Sequence, residues 1–216
     1  WTQHLHDHGI KVVHVVSSLK FALKSEEAGV DAVVAEGFEA GGHNGIDETT
    51  TMTLIPTVKK HLKIPLIAAG GIGTGRGMLA AMTLGADGVQ IGSRFVASEE
   101  SSAHQKFKET VVGTGDGGTK LTLKELTPVR LIKNDFFNRV EEAYQKDASI
   151  EDLKELLGRG RAKKGMFEGD LIEGELEIGQ IASVIDEIKP AAVIMSEILQ
   201  EYRDALKEFQ QPKYNF

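Results

Sequence analysis

The chain contains no cysteine among its 216 residues, which removes disulfides, thiolate metal sites and cysteine nucleophiles from consideration. No apolar run approaches the roughly 18 residues that a membrane span requires, and no secretory signal opens the chain. A basic surplus is also missing: 25 Lys and Arg stand against 32 Asp and Glu, a formal net charge of −7. Dedicated nucleic-acid binders carry the opposite balance. A soluble, cytoplasmic protein with no nucleic-acid or membrane partner is therefore expected. Methionine is missing from the first position, where Trp1 stands, which suggests that the natural start lies elsewhere.

What is present is ordinary for a globular domain, with 41% hydrophobic and 26% charged residues. Glycine is the informative residue. Twelve of the 24 glycines fall between Gly37 and Gly92, and glycine concentrated at strand ends marks close approach of backbone to a ligand.

Four short, nearly continuous apolar runs predict buried parallel strands: Val12–Val16, Ala32–Ala35, Leu66–Ala69 and Val89–Ile91. Helical patterns separate them. The first spans 18–28 and is closed by Gly29. The second spans 52–62, where Pro56 is tolerable only in a first turn. The third runs from Gly75 to Leu84, with Thr74 as N-cap and Gly85 as the stop. Gly29-Val30-Asp31-Ala32-Val33 recurs as Gly85-Ala86-Asp87-Gly88-Val89, each time between a helix and a strand. This order of elements predicts an α/β fold with right-handed crossovers. A further helix is expected over 98–111. Beyond a loop at 113–118 the pattern is mainly helical and charged, with a capping-box start at Ser149 and a final helix striped by Ile194, Ile198, Tyr202 and Leu206.

Three segments carry chemistry. Glu36-Gly-Phe-Glu39-Ala-Gly-Gly-His43-Asn-Gly45 follows a strand directly, at the end where α/β folds place their sites. Gly41 and Gly42 would let backbone lie flat against a ligand, and His43 would serve as general acid or base. The bland reading is a loop histidine capping the next helix. Gly70-Gly71-Ile-Gly73-Thr74-Gly75 runs from a strand into a helix start and suits an anion, although its spacing fits neither a P-loop nor a dinucleotide fingerprint. Gln90-Ile-Gly92-Ser93-Arg94 closes the next strand. Both glycine loops read as tight turns or, together, as a phosphate site. His4, His6 and His8 precede Gly9 and read as solvated rather than metal-binding, and no metal site is expected. Lys120, Lys124, Arg130 and Lys133 read as a solvated face.

Taken in order, these motifs resemble the nitronate monooxygenase (2-nitropropane dioxygenase) family, which includes FMN-dependent enoyl-acyl-carrier-protein reductases. Glu36-Gly-x-Glu39-Ala-Gly-Gly-His43-x-Gly45, Ile64-Pro-Leu-Ile-Ala-Ala-Gly-Gly71-Ile and Gly85-Ala-Asp-Gly-Val-Gln90-Ile-Gly-Ser-Arg94-Phe carry the resemblance. Glu100-Ser-x-Ala-His104 and Gly179-Gln-Ile181 extend it. It implies a (β/α)8 TIM barrel of which only the C-terminal half, strands five to eight, is expected here. That half-barrel would occupy 1–112, a helical covering subdomain 113–178, and returning helices 179–216. It implies FMN held by Gly41, Gly42, Gly70, Gly71, Gln90, Gly92 and Ser93, with His43 catalytic, and possession of only part of the cofactor pocket.

The implied activity is oxidation of alkyl nitronates with O2 to a carbonyl compound and nitrite, with a homodimer as the common assembly. The alternative is reduction of an enoyl thioester with NAD(P)H, toward which Thr50–Leu54 and Arg130–Asn134 lean; the acidic net charge leans toward a small substrate. A non-redox phosphate-binding barrel and a purely structural piece stay open as other classes.

Overall fold

The computed structural model describes residues 1–210. In chain order its elements are α1 (Thr2–Asp7), β1 (Val13–Val16), α2 (Leu19–Glu27), β2 (Ala32–Glu36), β3 (Gly42–His43) and α3 (Thr51–Lys59). There follow β4 (Leu66–Ala69), α4 (Gly75–Thr83), β5 (Gly88–Gln90), α5 (Ser93–Val96) and α6 (Gln105–Val112). The rest comprises β6 (Thr119–Thr122), β7 (Val129–Ile132), α7 (Asp135–Gln145), α8 (Ile150–Leu157), α9 (Arg161–Met166), a 3₁₀ turn (Gln180–Val184) and α10 (Ala191–Phe209). The chain folds as two compact units. One takes Trp1–Glu39, Asp47–Ile91 and the chain from Met195; the other takes Ala40–Ile46 and Gly92–Ile194. Divisions at 112 and 178 do not coincide with these units. Among the described residues no helix is long and apolar enough to cross a membrane.

The first unit is built on a four-stranded parallel sheet in the order β1-β2-β4-β5. Val33, Ala35, Leu66 and Ala68 point to one face, where Ala22, Leu54, Ile55 and Val58 of the helices cover them. Each fully buried Val, Leu or Ile side chain there contributes about 1.5–3 kcal/mol relative to exposure. Strand alternation sends Val34, Glu36 and Ala69 to the other face. Among the described residues the outer edges of β1 and β5 pair with no strand, and Val13 and Val15 of β1 are 49% and 47% exposed.

The glycine-aspartate repeat has a physical role in each copy. Asp31 accepts from the Val12 amide at 2.8 Å and pairs with Lys11. Asp87 accepts from the Leu66 amide at 2.9 Å and pairs with Lys59. Each aspartate thus ties the start of one strand to the start of its neighbour, after a glycine with positive φ (Gly29 +81°, Gly85 +108°) has ended the helix. His6 also reaches Asp31 at 2.8 Å, and His8 reaches the carbonyl of His4.

Several expectations are corrected. Pro56 lies beyond the first turn of α3, which begins at Thr51; the carbonyl it leaves unbonded belongs to Met52, which is largely exposed. Of the helix expected over 98–111 only the part from Gln105 is helical, in α6; residues 98–104 lie outside any helix, and Ser98 bridges to Lys189. In the final helix Ile194, Ile198 and Ala205 are buried and Leu206 is exposed.

The second unit is not wholly helical. It holds a three-stranded antiparallel sheet ordered β3-β7-β6. β7 is central and all four of its residues are buried, including Arg130, which is only 2% exposed rather than part of a solvated face. Two apolar clusters flank the sheet: Ile132, Leu176 and Ile178 belong to one, and Val129, Leu131, Phe136 and Phe137 to the other. The capping box at Ser149 is present, with Asp152 as its partner.

Candidate active site

The second unit gathers Gly41, Gly42, His43, Gly92 and Ser93 around one extended segment, 175–179. Gly42 pairs with Arg130 and His43 with Val129; farther along the same edge of β7, Glu177 bridges to Leu131 and the Ile132 amide donates to the Leu176 carbonyl. The short β3 and the 175–179 segment therefore follow one another along a single edge. Asn44 locks the loop, its side-chain amide donating to the carbonyls of Ala40 and Gly42, both at 3.0 Å, and its backbone amide to Pro128. The histidine itself is exposed.

The glycine pair has a reason within the protein. A Cβ at Gly41 would stand 2.3 Å from the carbonyl carbon of Ile178 and 2.4 Å from the nitrogen of Gly179. Gly42 has φ +72°, and a Cβ there would lie 2.5 Å from a carboxylate oxygen of Glu177. Gly179 donates its amide to Ser93 Oγ at 3.0 Å. The loops of His43 and Ser93 thus both reach Gly179.

Charges around the segment are arranged by burial and pairing. Burial pushes the Glu177 carboxyl up, and the nearby His43 offsets part of that rise. Glu175 is pushed up to about 7, first by burial and then by the charge of Glu177, with Arg161 opposing. Glu173 behaves oppositely: Arg139 and Arg161, at 2.6 and 3.0 Å, hold it down to about 2.

Gly70, Gly71 and Gln90 lie in the first unit, at the ends of β4 and β5. Gly70 (φ +91°) passes so close to Gly37 that a Cβ would stand 2.6 Å from its carbonyl oxygen; Gly71 (φ +68°) sits over the Glu39 side chain. Glu39 accepts the Thr51 amide at 3.0 Å, so the first turn of α3 is capped by a carboxylate from a distant loop. Glu36, Ala69 and Gln90 stand in register across three strand ends, and burial raises the Glu36 carboxyl. The helix start at Gly75, expected to suit an anion, already holds one: Glu201 accepts the Gly75 amide at 2.7 Å, while Thr74 accepts that of Gly77. A Cβ at Gly75 would stand 2.2 Å from the Tyr202 nitrogen.

Glu175 and Glu177 were not singled out from the sequence. Their signal is the alternation Glu175-Leu-Glu177-Ile178, which is the period of an extended segment with one apolar face. The backbone amides of Gly92 and Ser93 have no acceptor among the described residues, and a Cβ at Gly92 would meet nothing within 4 Å. Free donors beside open space suit an anionic oxygen group. Among the described residues no three His, Asp or Glu side chains are placed to hold a metal ion.

A family model described as nitronate monooxygenase matches residues 1–201. The chain is 33% identical to a probable nitronate monooxygenase of Staphylococcus saprophyticus, over 91% of this chain and 58% of that protein. It is 32% identical to a second, from Staphylococcus aureus, over 95% and 60%. Among solved structures it is similar to FabK from Thermotoga maritima, with TM-score 0.89 and 41% identity over 96% of this chain and 66% of that one. It also matches a nitroalkane oxidase from Streptomyces ansochromogenes, with TM-score 0.79 and 28% identity over 96% and 62%. The chain spans about three fifths of the length of the curated relatives it matches.

Proposed function

The chain belongs to the nitronate monooxygenase family, and from that premise we propose that the whole protein is an FMN-dependent oxidoreductase that oxidises alkyl nitronates with O2. The observation that carries the proposal is the convergence of the His43 loop and the Gly92-Ser93 loop on the Glu177–Gly179 segment. An exposed imidazole and amide donors facing open space are thereby held by one rigid support.

On this reading His43 takes the carbon-bound proton of a neutral nitroalkane or balances the negative charge of a nitronate. Gly92 and Ser93 would hold the flavin phosphate through their amides. Gly70, Gly71, Gln90, Gly41 and Gly42 are proposed as further cofactor contacts, each to be tested singly. When bound, the flavin supplies the electron transfer that no side chain of this chain provides. The parallel sheet, with its open edges at β1 and β5 and its half-exposed Val13 and Val15, is read as strands five to eight of a (β/α)8 barrel, and 113–178 as part of its cover.

A second reading keeps the flavin and changes the reaction. Identity to FabK exceeds identity to the nitroalkane oxidase, which favours reduction of an enoyl thioester by NAD(P)H, with His43 orienting or protonating the enolate. Anaerobic mixing of flavin-loaded, full-length protein with NADH and, separately, with a small alkyl nitronate separates the two. Bleaching of the visible flavin band by nitronate and not by NADH supports the oxidase. Fast bleaching by NADH, reversed by an enoyl thioester, supports the reductase. An inert flavin overturns both.

A further inference from the structure

The Gly70-Gly71 turn is held by a side chain that takes no part in the reading above. Thr51, the first residue of α3, is only 8% exposed. Its hydroxyl lies 2.8 Å from the Gly70 carbonyl, 3.0 Å from a Glu39 carboxylate oxygen and 3.2 Å from the Ala69 carbonyl. A hydroxyl has one proton to give. Glu39 already accepts the Thr51 amide at 3.0 Å, and Ala69 already accepts the Gly37 amide at 2.9 Å. The Gly70 carbonyl has no other donor among the described residues, so the proton belongs there. Gly37 makes the room: a Cβ on it would stand 2.1 Å from the same hydroxyl oxygen.

Both residues of the turn have positive φ, +91° at Gly70 and +68° at Gly71. Glycine takes φ of either sign at little cost, so a peptide between two glycines turns over easily unless something holds it. Across a trans peptide the carbonyl and the following amide point opposite ways. With the Gly70 carbonyl tied to Thr51, the Gly71 amide faces away from that side chain, and it has no acceptor among the described residues.

We infer that Thr51 is a positioning residue for flavin binding: by holding the Gly70 carbonyl it aims the Gly71 amide at the flavin phosphate. The inference deepens the proposed role of Gly71 as a cofactor contact and rests on it. Thr51 acts through the peptide and not on the flavin. Glu39, by accepting the Thr51 amide, fixes the residue from which the hydroxyl projects. An amide aimed in advance donates to an anion without first paying for its own ordering. Without the hydroxyl the peptide is free to turn over, and the affinity lost belongs to the anionic group alone.

The test is titration of full-length protein, freed of bound flavin, with FMN and with riboflavin, which has the same ring and ribityl chain but no phosphate. The wild type should bind FMN the more tightly. Thr51→Val keeps the branched shape and loses the hydroxyl; it should weaken FMN about tenfold and riboflavin by less than about twofold. Thr51→Ser should restore most of the FMN affinity. An unchanged ratio of the two affinities in Thr51→Val overturns the inference, and so does a Thr51→Ser protein as weak as Thr51→Val. Should Thr51→Val not fold, Thr51→Ala lacks the same hydroxyl without setting a branched methyl against Glu39, and its ratio decides in the same way. Equal wild-type affinity for the two flavins would instead overturn the phosphate contact on which the inference rests.

Discussion

Gly41 lies against the backbone of Ile178 so closely that a methyl group there would stand 2.3 Å from a carbonyl carbon. Backbone, unlike the tip of a flexible side chain, cannot step aside. The opposite holds at Gly92, where φ is −97° and a methyl group meets nothing within 4 Å.

The two glycines should therefore part company on substitution. Gly41→Ala should cost about 3 kcal/mol of stability, at the upper end of overpacking penalties. Gly92→Ala should change stability by less than about 0.5 kcal/mol, yet weaken flavin binding if the open space its methyl enters is where the phosphate sits. Urea denaturation and a flavin titration on both variants check this, and a Gly92→Ala protein that binds flavin normally would remove Gly92 from the site.

Glu201 should stabilise α4 through the Gly75 amide. Glu201→Gln keeps the shape but removes the negative charge from the helix start, for an expected loss of about 0.5–1 kcal/mol. Thermal melts at low and high salt check it, with a smaller difference at high salt.

Glu175 should make stability fall as pH rises. Its folded pKa, about 7, lies above the value of roughly 4.3 for an unfolded glutamate. The native state therefore binds the proton more tightly. The contribution is whole below about pH 4.3 and is lost as pH climbs through 7. Discounted for the partial exposure of the carboxyl, the loss is about 1–2 kcal/mol. Glu175→Gln should flatten this slope and be the more stable protein at pH 8, as measured by denaturant midpoints across the range.

Asp31 and Asp87 should act in the other direction. Hydrogen bonds from Lys11, the Val12 amide and His6 lower the first, and those from the Leu66 amide and Lys59 lower the second. A lowered folded pKa gives stability that is present above about 3.9, the unfolded value, and lost as pH falls below it. Asp31→Asn and Asp87→Asn should each shallow the acid limb of the stability profile; an unchanged limb would count against these bonds in solution.

The parallel strands were legible because Val33, Val34 and Ala35, or Ile67 and Ala68, are apolar without alternation, the mark of a sheet covered on both faces. Gly29, Thr74 and Gly85 gave the helix ends by local conformational preference alone. β6 and β7 were not legible. Lys120 and Arg130 interrupt four-residue runs, and only tertiary pairing buries Arg130. The His43 loop was recognisable from its place after a strand, but its glycines read as ligand contacts, since the sequence does not show that residues 177–179 lie against them. Glu201 was hidden for the same reason: a carboxylate far along the chain competes for a helix start that local pattern leaves vacant.

The support beneath the His43 loop is the last part of its unit's site to be made. Gly41 and Gly42 leave the ribosome long before Glu177, Ile178 and Gly179, and until those residues emerge the β7 edge lacks the neighbour that clamps the loop. A nascent chain stopped short of Glu177 would hold every glycine of the motif, the Asn44 lock and the pairing with β7, but not the segment beneath them. The support of the His43 loop is thus completed late in synthesis, once most of the chain is in place.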